Sequence, residues 1–305
     1  MLNRIPKEGS FALKKFIDLL LKLKNDNMIN KKWIATILLL ATIPLVKAQY
    51  YYKDILSNKQ AGQEKIVLKE QKIRTIQVHS FEGDKNPSEG FFCEKKISKD
   101  YRRIETYTRA YTAGKSLVTS IYNDKDQLIR STDSSDISVS SSAYQYNADG
   151  SISTIISNSH SGDDDFSTAL LEEHQYRYNN KQAVQMLRIK NNKDSVLIDF
   201  IADANGNITD EIDVSKHGQH YYYYYDAKNR LTDIVKFNEV FGKLKPDQTF
   251  EYNNSNQVIQ MVSVEEGVNK NYYTWKYVYN DGLRIIEKCF SKENALLGYF
   301  EYEYK

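Results

Sequence analysis

Two short segments carry side chains that could bind a metal ion. His217 and His220 are three positions apart, and residues 203–210 hold carboxylate and amide oxygens in an order similar to that of a calcium loop. A strand would send His217 and His220 to opposite faces, and no third ligand is evident beside them. In residues 203–210 the glycine comes too early for a calcium loop, and no bidentate glutamate follows. We therefore interpret both segments as turns and predict no metal site.

The common catalytic motifs are absent from the sequence. It contains no Gly-x-Ser-x-Gly, no His-Glu-x-x-His, no glycine-rich phosphate loop and no Cys-x-x-Cys. The acidic run Asp163–Asp164–Asp165 lies in a segment typical of a solvated loop. With no nucleophile, base or metal set, we predict that the protein is not an enzyme and uses no cofactor.

The chain has two cysteines, Cys93 and Cys289. In an exported protein they permit one disulfide. The alternative is two unpaired thiols that pack as small apolar side chains. The second alternative is favoured because a straight array of repeats would hold the two residues far apart.

The run from Tyr221 to Tyr225 contains the candidate binding residues. Alternation along a strand sends Tyr221, Tyr223 and Tyr225 to one face and Tyr222 and Tyr224 to the other. If the second face is exposed, Tyr222 and Tyr224 form an aromatic patch suited to a sugar ring or an apolar side chain of a partner. If other elements cover it, the two residues belong to a second core layer. The sequence leaves both interpretations open.

These tyrosines belong to a repeated pattern, Tyr-x-Tyr-Asn/Asp, followed by a turn and an aliphatic residue. The positions that correspond to the second tyrosine lie 23 to 32 residues apart: Tyr146, Tyr178, Ala202, Tyr225, Tyr252, Tyr279 and Tyr304. A unit of about 25 residues holds two strands and two turns, which is one β-hairpin. Both aromatic positions share a face, which we predict to be the core face, while the residue between them points the other way.

The turn residues fit this hairpin unit. The side chains of Asn and Asp form hydrogen bonds with backbone groups two residues further along the chain. Gly or Asn then supplies the positive φ angle. After the turn, aliphatic residues often lie three apart, as in Ile152 and Ile155. Strict alternation does not explain that spacing, so we expect a β-bulge or a strand that touches two apolar layers.

With these motifs the chain resembles the YD repeats of RHS-type proteins, which occur in bacterial exported and surface proteins. The resemblance covers roughly residues 115–305, and residues 223–231 match best, with Tyr225 and Asp226 as the tyrosine–aspartate pair. Most copies carry Asn in place of Asp, and Asn229 stands where the family usually has Gly. The resemblance implies a carbohydrate-associated or encapsulating β protein.

The N-terminus predicts export. Lys31 and Lys32 precede an apolar run over residues 33–46, and small residues follow at a cleavage site before Gln49. The run is shorter than the roughly 20 residues that span a bilayer, which favours a cleaved signal peptide over an anchor. We therefore assign residues 1–48 to an extension and signal peptide, with Met28 as the expected start.

The remaining chain divides into an N-terminal β segment and a repeat region. We predict that residues 49–114 are strands or degenerate repeats that cap an open edge, including strands within residues 66–78 and 91–110. Residues 115–305 are the hairpin repeats, and residues 131–142 and 157–167 are predicted loops. The expected fold is all-β, an antiparallel β-meander or solenoid-like sheet with almost no helix after residue 49.

The charge balance of the chain limits the class of partner that it can bind. With 42 Lys and Arg against 40 Asp and Glu, the net charge is +2, and the signs are interleaved, which argues against a nucleic-acid partner. We expect an exported protein of the periplasm or cell surface that binds a carbohydrate or a cell-envelope protein and has no membrane span after signal cleavage. The alternative is a structural shell or spacer, or a remnant of an RHS-type toxin-encapsulation system.

Overall fold

The computed structural model describes residues 50–111, 113–161, 169–238, 242–265 and 271–305. Within these ranges the chain forms one helix and a single 18-stranded sheet. The elements are α1 (Tyr52–Glu70), β1 (Thr75–Glu82), β2 (Phe92–Ile97), β3 (Arg103–Ala110), β4 (Gly114–Tyr122), β5 (Leu128–Ser135), β6 (Ser138–Tyr146), β7 (Ile152–Ser161), β8 (Leu170–Asn179), β9 (Gln182–Lys190), β10 (Asp194–Ala202), β11 (Ile208–Asp213), β12 (His220–Tyr225), β13 (Leu231–Asn238), β14 (Lys243–Tyr252), β15 (Val258–Val264), β16 (Tyr272–Asn280), β17 (Leu283–Phe290) and β18 (Leu296–Tyr304).

The sheet closes into a barrel because its first and last strands pair. β1 is antiparallel to both β2 and β18, and its ladder with β18 runs from Ile76↔Tyr304 to Glu82↔Gly298. Each of the other strands pairs with its neighbours in sequence. The predicted open meander or solenoid-like sheet is therefore wrong, although the hairpin order is correct. Closure pairs both sheet edges, so the barrel needs no separate cap.

The N-terminal segment departs most from the sequence prediction. Residues 52–70 form α1, so the strands predicted from residue 66 begin only at Thr75, and the expectation of almost no helix after residue 49 is wrong. The strands predicted within residues 91–110 are correct, as β2 and β3. They are consecutive strands of the barrel wall. No helix among the described residues is long and apolar enough to cross a membrane.

Alternation along the strands gives the barrel an inner face that carries the repeat aromatics. Tyr221 and Tyr223 are each 2% exposed on the inner face of β12. They belong to the larger of two apolar clusters within the described residues, which joins β6–β14 to Tyr50, Tyr51, Tyr52 and Ile55. The second cluster joins Leu68 of α1 to β1, β2, β3 and β4. Each end of α1 is thus packed against a different part of the wall.

Two predicted loops lie largely in strands. Residues 131–142 fall mostly within β5 and β6, and residues 157–161 are the end of β7; the rest of the second segment, with Asp163–Asp165, lies outside the described residues. Serine is a weak strand former in isolation, but here serines pair across strands. Ser140 Oγ donates to Ser159 Oγ at 2.9 Å, and Ser142 and Ser157 hydroxyls lie 2.9 Å apart. The serine-rich composition therefore predicted loops where strands form, because strand propensity depends on cross-strand neighbours.

The turns follow the predicted chemistry. In the turn between β12 and β13, Asp226 Oδ1 accepts the backbone N–H groups of Lys228 and Arg230, and Asn229 has a φ of 59°. The same arrangement recurs at Asn253 and Asn256. The registers shift at the second aromatic position of these units, as between Tyr224 and Tyr225, so the predicted β-bulge is confirmed.

Candidate functional site

Tyr222 and Tyr224 lie on the outer face of β12, as alternation predicts. Tyr224 is 46% exposed and faces Asp233 on β13. Tyr222 is half-buried and pairs with Asp210 on β11. No strand or loop among the described residues therefore buries Tyr224 in a second core layer. Whether the pair binds anything stays a prediction.

A neighbouring histidine holds the ring of Tyr222. The ring centroids of Tyr222 and His220 are 3.9 Å apart with an interplanar angle of 26°, and His220 Nε2 lies 2.9 Å from Asp210 Oδ1. Because His220 is two residues before Tyr222 on the same face, the stack is a local consequence of strand geometry. Asp210, His220, Tyr222, Tyr224 and Asp233 are hereafter called the outer tyrosine surface. The alternation of the sequence indicates its tyrosines but not its histidine and carboxylates.

The two segments considered as metal sites each contain a turn, as predicted, and end in the strand that follows it. His217 lies in the connection between β11 and β12 with a φ of 113°, whereas His220 begins β12. Asp203 Oδ1 accepts the backbone N–H groups of Asn205 and Asn207, each at 2.9 Å. In the part of the chain that the structure describes, no three His, Cys, Asp or Glu side chains are placed to hold a metal ion.

The two cysteines are free thiols on separate strands. Cys93 lies on β2 and Cys289 is buried on β17, with β1 and β18 between them. Three strand spacings of about 4.8 Å put them roughly 14 Å apart or more. A disulfide needs Cα atoms within about 7 Å, so the alternative of unpaired thiols is correct.

The inner face holds a polar cluster around the start of α1 that sequence analysis missed. Glu211 of β11 is buried, and its carboxylate accepts the backbone N–H groups of Tyr51 at 2.7 Å and Tyr52 at 2.8 Å. Tyr223 Oη donates to the same carboxylate at 2.8 Å. The first N–H groups of a helix lack acceptors within the helix, and the Glu211 carboxylate is the acceptor here. Burial raises the pKa of Glu211 to about 7, against the opposing effect of these hydrogen bonds.

A second carboxylate bridge fixes the same end of α1. His174 Nδ1 lies 2.6 Å from Asp54 Oδ2, and its Nε2 lies 3.0 Å from Glu172 Oε1. Burial alone would lower the pKa of His174, but the hydrogen bonds and charges of Asp54 and Glu172 outweigh it and raise the pKa to about 9. Both ring nitrogens face carboxylate oxygens, an arrangement that favours the imidazolium form and ties β8 to the helix.

The far end of α1 is anchored through a buried lysine. Lys65 is 1% exposed, its Nζ lies 2.6 Å from Asp126 Oδ1, and it sits 4.3 Å from the centre of the Tyr122 ring. Glu64 pairs with Lys95 of β2 at 3.0 Å. These two ion pairs tie the C-terminal half of α1 to β2 and to the turn between β4 and β5.

One signal in the sequence could have pointed to this cluster. Glu211 stands at a position of β11 that faces Tyr221, where the alternation of the repeats calls for an apolar side chain. A buried carboxylate requires donors. Its donors are backbone groups of a segment 159 and 160 positions away, which no local pattern identifies.

Comparison with known proteins gives no family. No family model and no curated protein matches the chain. Among solved structures it is similar to a porin-like protein from Bacteroides uniformis, at 11% identity and a TM-score of 0.36 over 76% of this chain and 98% of that chain. It is also similar to a porin-like protein from Bacteroides vulgatus, at 10% identity and a TM-score of 0.29 over 76% of this chain and 98% of that chain.

The pore of the Tc holotoxin of Photorhabdus luminescens is also similar, at 10% identity and a TM-score of 0.25 over 70% of this chain and 16% of that chain. Similarities at these TM-scores support no inference about function. The resemblance to YD repeats therefore stays a prediction based on the sequence motifs.

Proposed function

We propose that the protein is an exported, non-enzymatic binding protein whose outer tyrosine surface contacts a glycan or a protein partner at the cell envelope or cell surface. The observation that carries the proposal is the position of Tyr224, which is a large aromatic side chain almost half exposed on the outer wall. Tyrosine presents a flat ring and a polar tip, which suits it to binding surfaces.

The composition of the outer wall supports a location in water. Paired charges lie along its strands, as with Lys96 and Glu94 at 2.9 Å and Arg103 and Glu105 at 2.6 Å. A lipid-facing wall is apolar, and a charge at its midplane costs about 2–4 kcal/mol. We therefore place the barrel outside the bilayer, in keeping with export and signal cleavage before Gln49.

The test compares ligand capture by wild-type protein beginning at Gln49 with capture by the Tyr224→Ser and Tyr222→Ser/Tyr224→Ser variants. A glycan array and a pull-down from envelope extracts supply the two ligand classes. Tyr272→Ser is the matched control, because Tyr272 also lies on the outer face, on β16, and is 36% exposed. Exposed substitutions cost within about 0.5 kcal/mol, so folded variants are expected.

We expect wild-type protein and Tyr272→Ser to retain a ligand that both Tyr224 variants lose. Retention of every ligand by folded Tyr224→Ser protein would overturn the proposal. The alternative function is a structural shell or spacer, such as a remnant of a toxin-encapsulation system. Absence of any ligand on the array and in the pull-down would favour that alternative.

A further inference from the structure

The outer wall around Tyr222 and Tyr224 is acidic. β10, β11 and β12 contain no lysine or arginine. On β13 the single lysine, Lys236, is 7% exposed and pairs with Asp247 at 3.2 Å. Outward-facing carboxylates lie on the two strands to either side of β12: Asp199 on β10, Asp210 on β11, Asp233 on β13 and Glu251 on β14.

The aromatic rings lie between these carboxylates. Tyr222 is paired with Asp210 on one side, and Tyr224 with Asp233 on the other. The face of a tyrosine ring attracts a cation electrostatically, most often the guanidinium of arginine. A guanidinium also matches a carboxylate through two parallel hydrogen bonds. One arginine can therefore contact both a ring and a carboxylate here.

We propose that the outer tyrosine surface binds a cationic polypeptide segment, one that presents arginine or lysine side chains. This inference rests on the proposed function and names the partner class of the same site. Acidic partners are disfavoured because carboxylates flank both rings and like charges repel. A neutral glycan would use the rings without the carboxylates, and it is one of the outcomes that the experiment separates.

A second sector of the barrel wall also has an exposed tyrosine but differs in charge. Tyr272 lies on the same outer face of β16 as Lys276, four positions further along, and Lys276 is paired with Lys288 on β17, so this sector of the wall carries lysines. If exposed tyrosine alone sufficed, both sectors would bind the same ligands. If the acidic surround selects the partner, only the outer tyrosine surface binds a cationic segment.

The experiment measures binding of a labelled oligo-arginine peptide by fluorescence anisotropy, with an oligo-glutamate peptide and neutral oligosaccharides as parallel probes. We expect the oligo-arginine to bind and the oligo-glutamate not to bind. Tyr224→Ser should raise the Kd for oligo-arginine about 2- to 5-fold, the range of an exposed cation–π contact. Asp233→Asn should raise it as well, and Tyr272→Ser should leave it unchanged.

Salt gives an independent readout. Affinity for oligo-arginine should fall as ionic strength rises from about 0.01 to 0.15 M, because the screening length shortens from about 30 to about 8 Å. Thermal melting within about 2 °C of wild type identifies folded variants. Asp233→Asn keeps the test decisive if Tyr224→Ser does not fold.

The outcomes separate the two proposals. If neutral oligosaccharides bind and Tyr224→Ser abolishes that binding while oligo-arginine does not bind, the cationic partner is wrong and the proposed function stands. If oligo-arginine binds equally to wild type, Tyr224→Ser and Asp233→Asn, its binding is diffuse and the inference fails. If Tyr224→Ser changes binding of no probe and of no captured ligand, both proposals fail.

Discussion

The hydroxyl groups of the repeat tyrosines link neighbouring hairpins at one end of the barrel. Five second-position tyrosines each donate to a backbone carbonyl 17 to 21 positions earlier: Tyr146 to Leu128, Tyr225 to Ile208, Tyr252 to Leu231, Tyr279 to Val258 and Tyr304 to Arg284. Most of these carbonyls belong to the aliphatic residue that follows the previous turn. The aromatic position thus joins two repeats in these five units, which explains a preference for tyrosine over a purely apolar residue.

The substitution Tyr252→Phe tests this link. It keeps the ring in place and removes only the bond from Tyr252 Oη to the carbonyl of Leu231, which is 2.7 Å long. We expect a loss of about 0.5–1.5 kcal/mol in the free energy of unfolding, measured by urea denaturation. Tyr224→Phe is the control, because its ring is exposed and its change should stay within about 0.5 kcal/mol. Equal effects of the two substitutions would show that the hydroxyl of Tyr252 contributes nothing.

At the scale of elements, α1 is stabilised by the barrel and not by its own sequence. Its middle is polar, while its two ends reach separate apolar clusters and charged partners on opposite stretches of the wall. Tertiary packing supplies most of the stability of helices in proteins, which accounts for a helix with little apolar periodicity. Such a helix cannot be recognised before its partners are known.

The docking of α1 is tested by two substitutions in the same helical turn. Leu68 is 2% exposed, whereas Ile66 is 48% exposed. Leu68→Ala should therefore lower the free energy of unfolding by about 2–5 kcal/mol, and Ile66→Ala by no more than about 0.5 kcal/mol. Urea denaturation followed by circular dichroism measures both. If Leu68→Ala unfolds at the wild-type midpoint, α1 does not pack against the barrel wall.

At the scale of the molecule, local features were predictable and closure was not. The faces of Tyr222 and Tyr224, the turns and the bulges depend on residues within four or five positions of one another, so the sequence displays them. Closure depends on the pairing of Ile76 with Tyr304, which lie 228 positions apart, and a repeated hairpin pattern is the same in an open and a closed sheet. The contacts of Glu211 and His174 with α1 span more than 100 positions and were missed for the same reason.

Four ionisable groups inside the barrel share one direction of pH dependence. The pKa of His174 is raised from 6.5 to about 9, so its stabilising contribution is complete below pH 6.5 and is lost as pH rises through 9. The pKa of Glu211 is raised from 4.5 to about 7, so the folded state keeps a proton between these values that the unfolded chain has released. Burial also raises the pKa of Tyr122 and Tyr144 to about 12, above their ordinary value of 10. Each of these groups makes the fold less stable as pH rises.

We therefore expect the urea midpoint of the wild-type protein to fall steadily between pH 6.5 and pH 9, and further above pH 10, where tyrosines of the unfolded chain ionise. The variant His174→Gln isolates the first part of this dependence, because glutamine does not titrate. It should be less stable than wild type at pH 6.5, since the charged contacts with Asp54 and Glu172 are gone, and its midpoint should change less between pH 7 and pH 9. A wild-type midpoint that is constant or rises across that interval would mean that His174 is not held as an imidazolium between the helix and the wall.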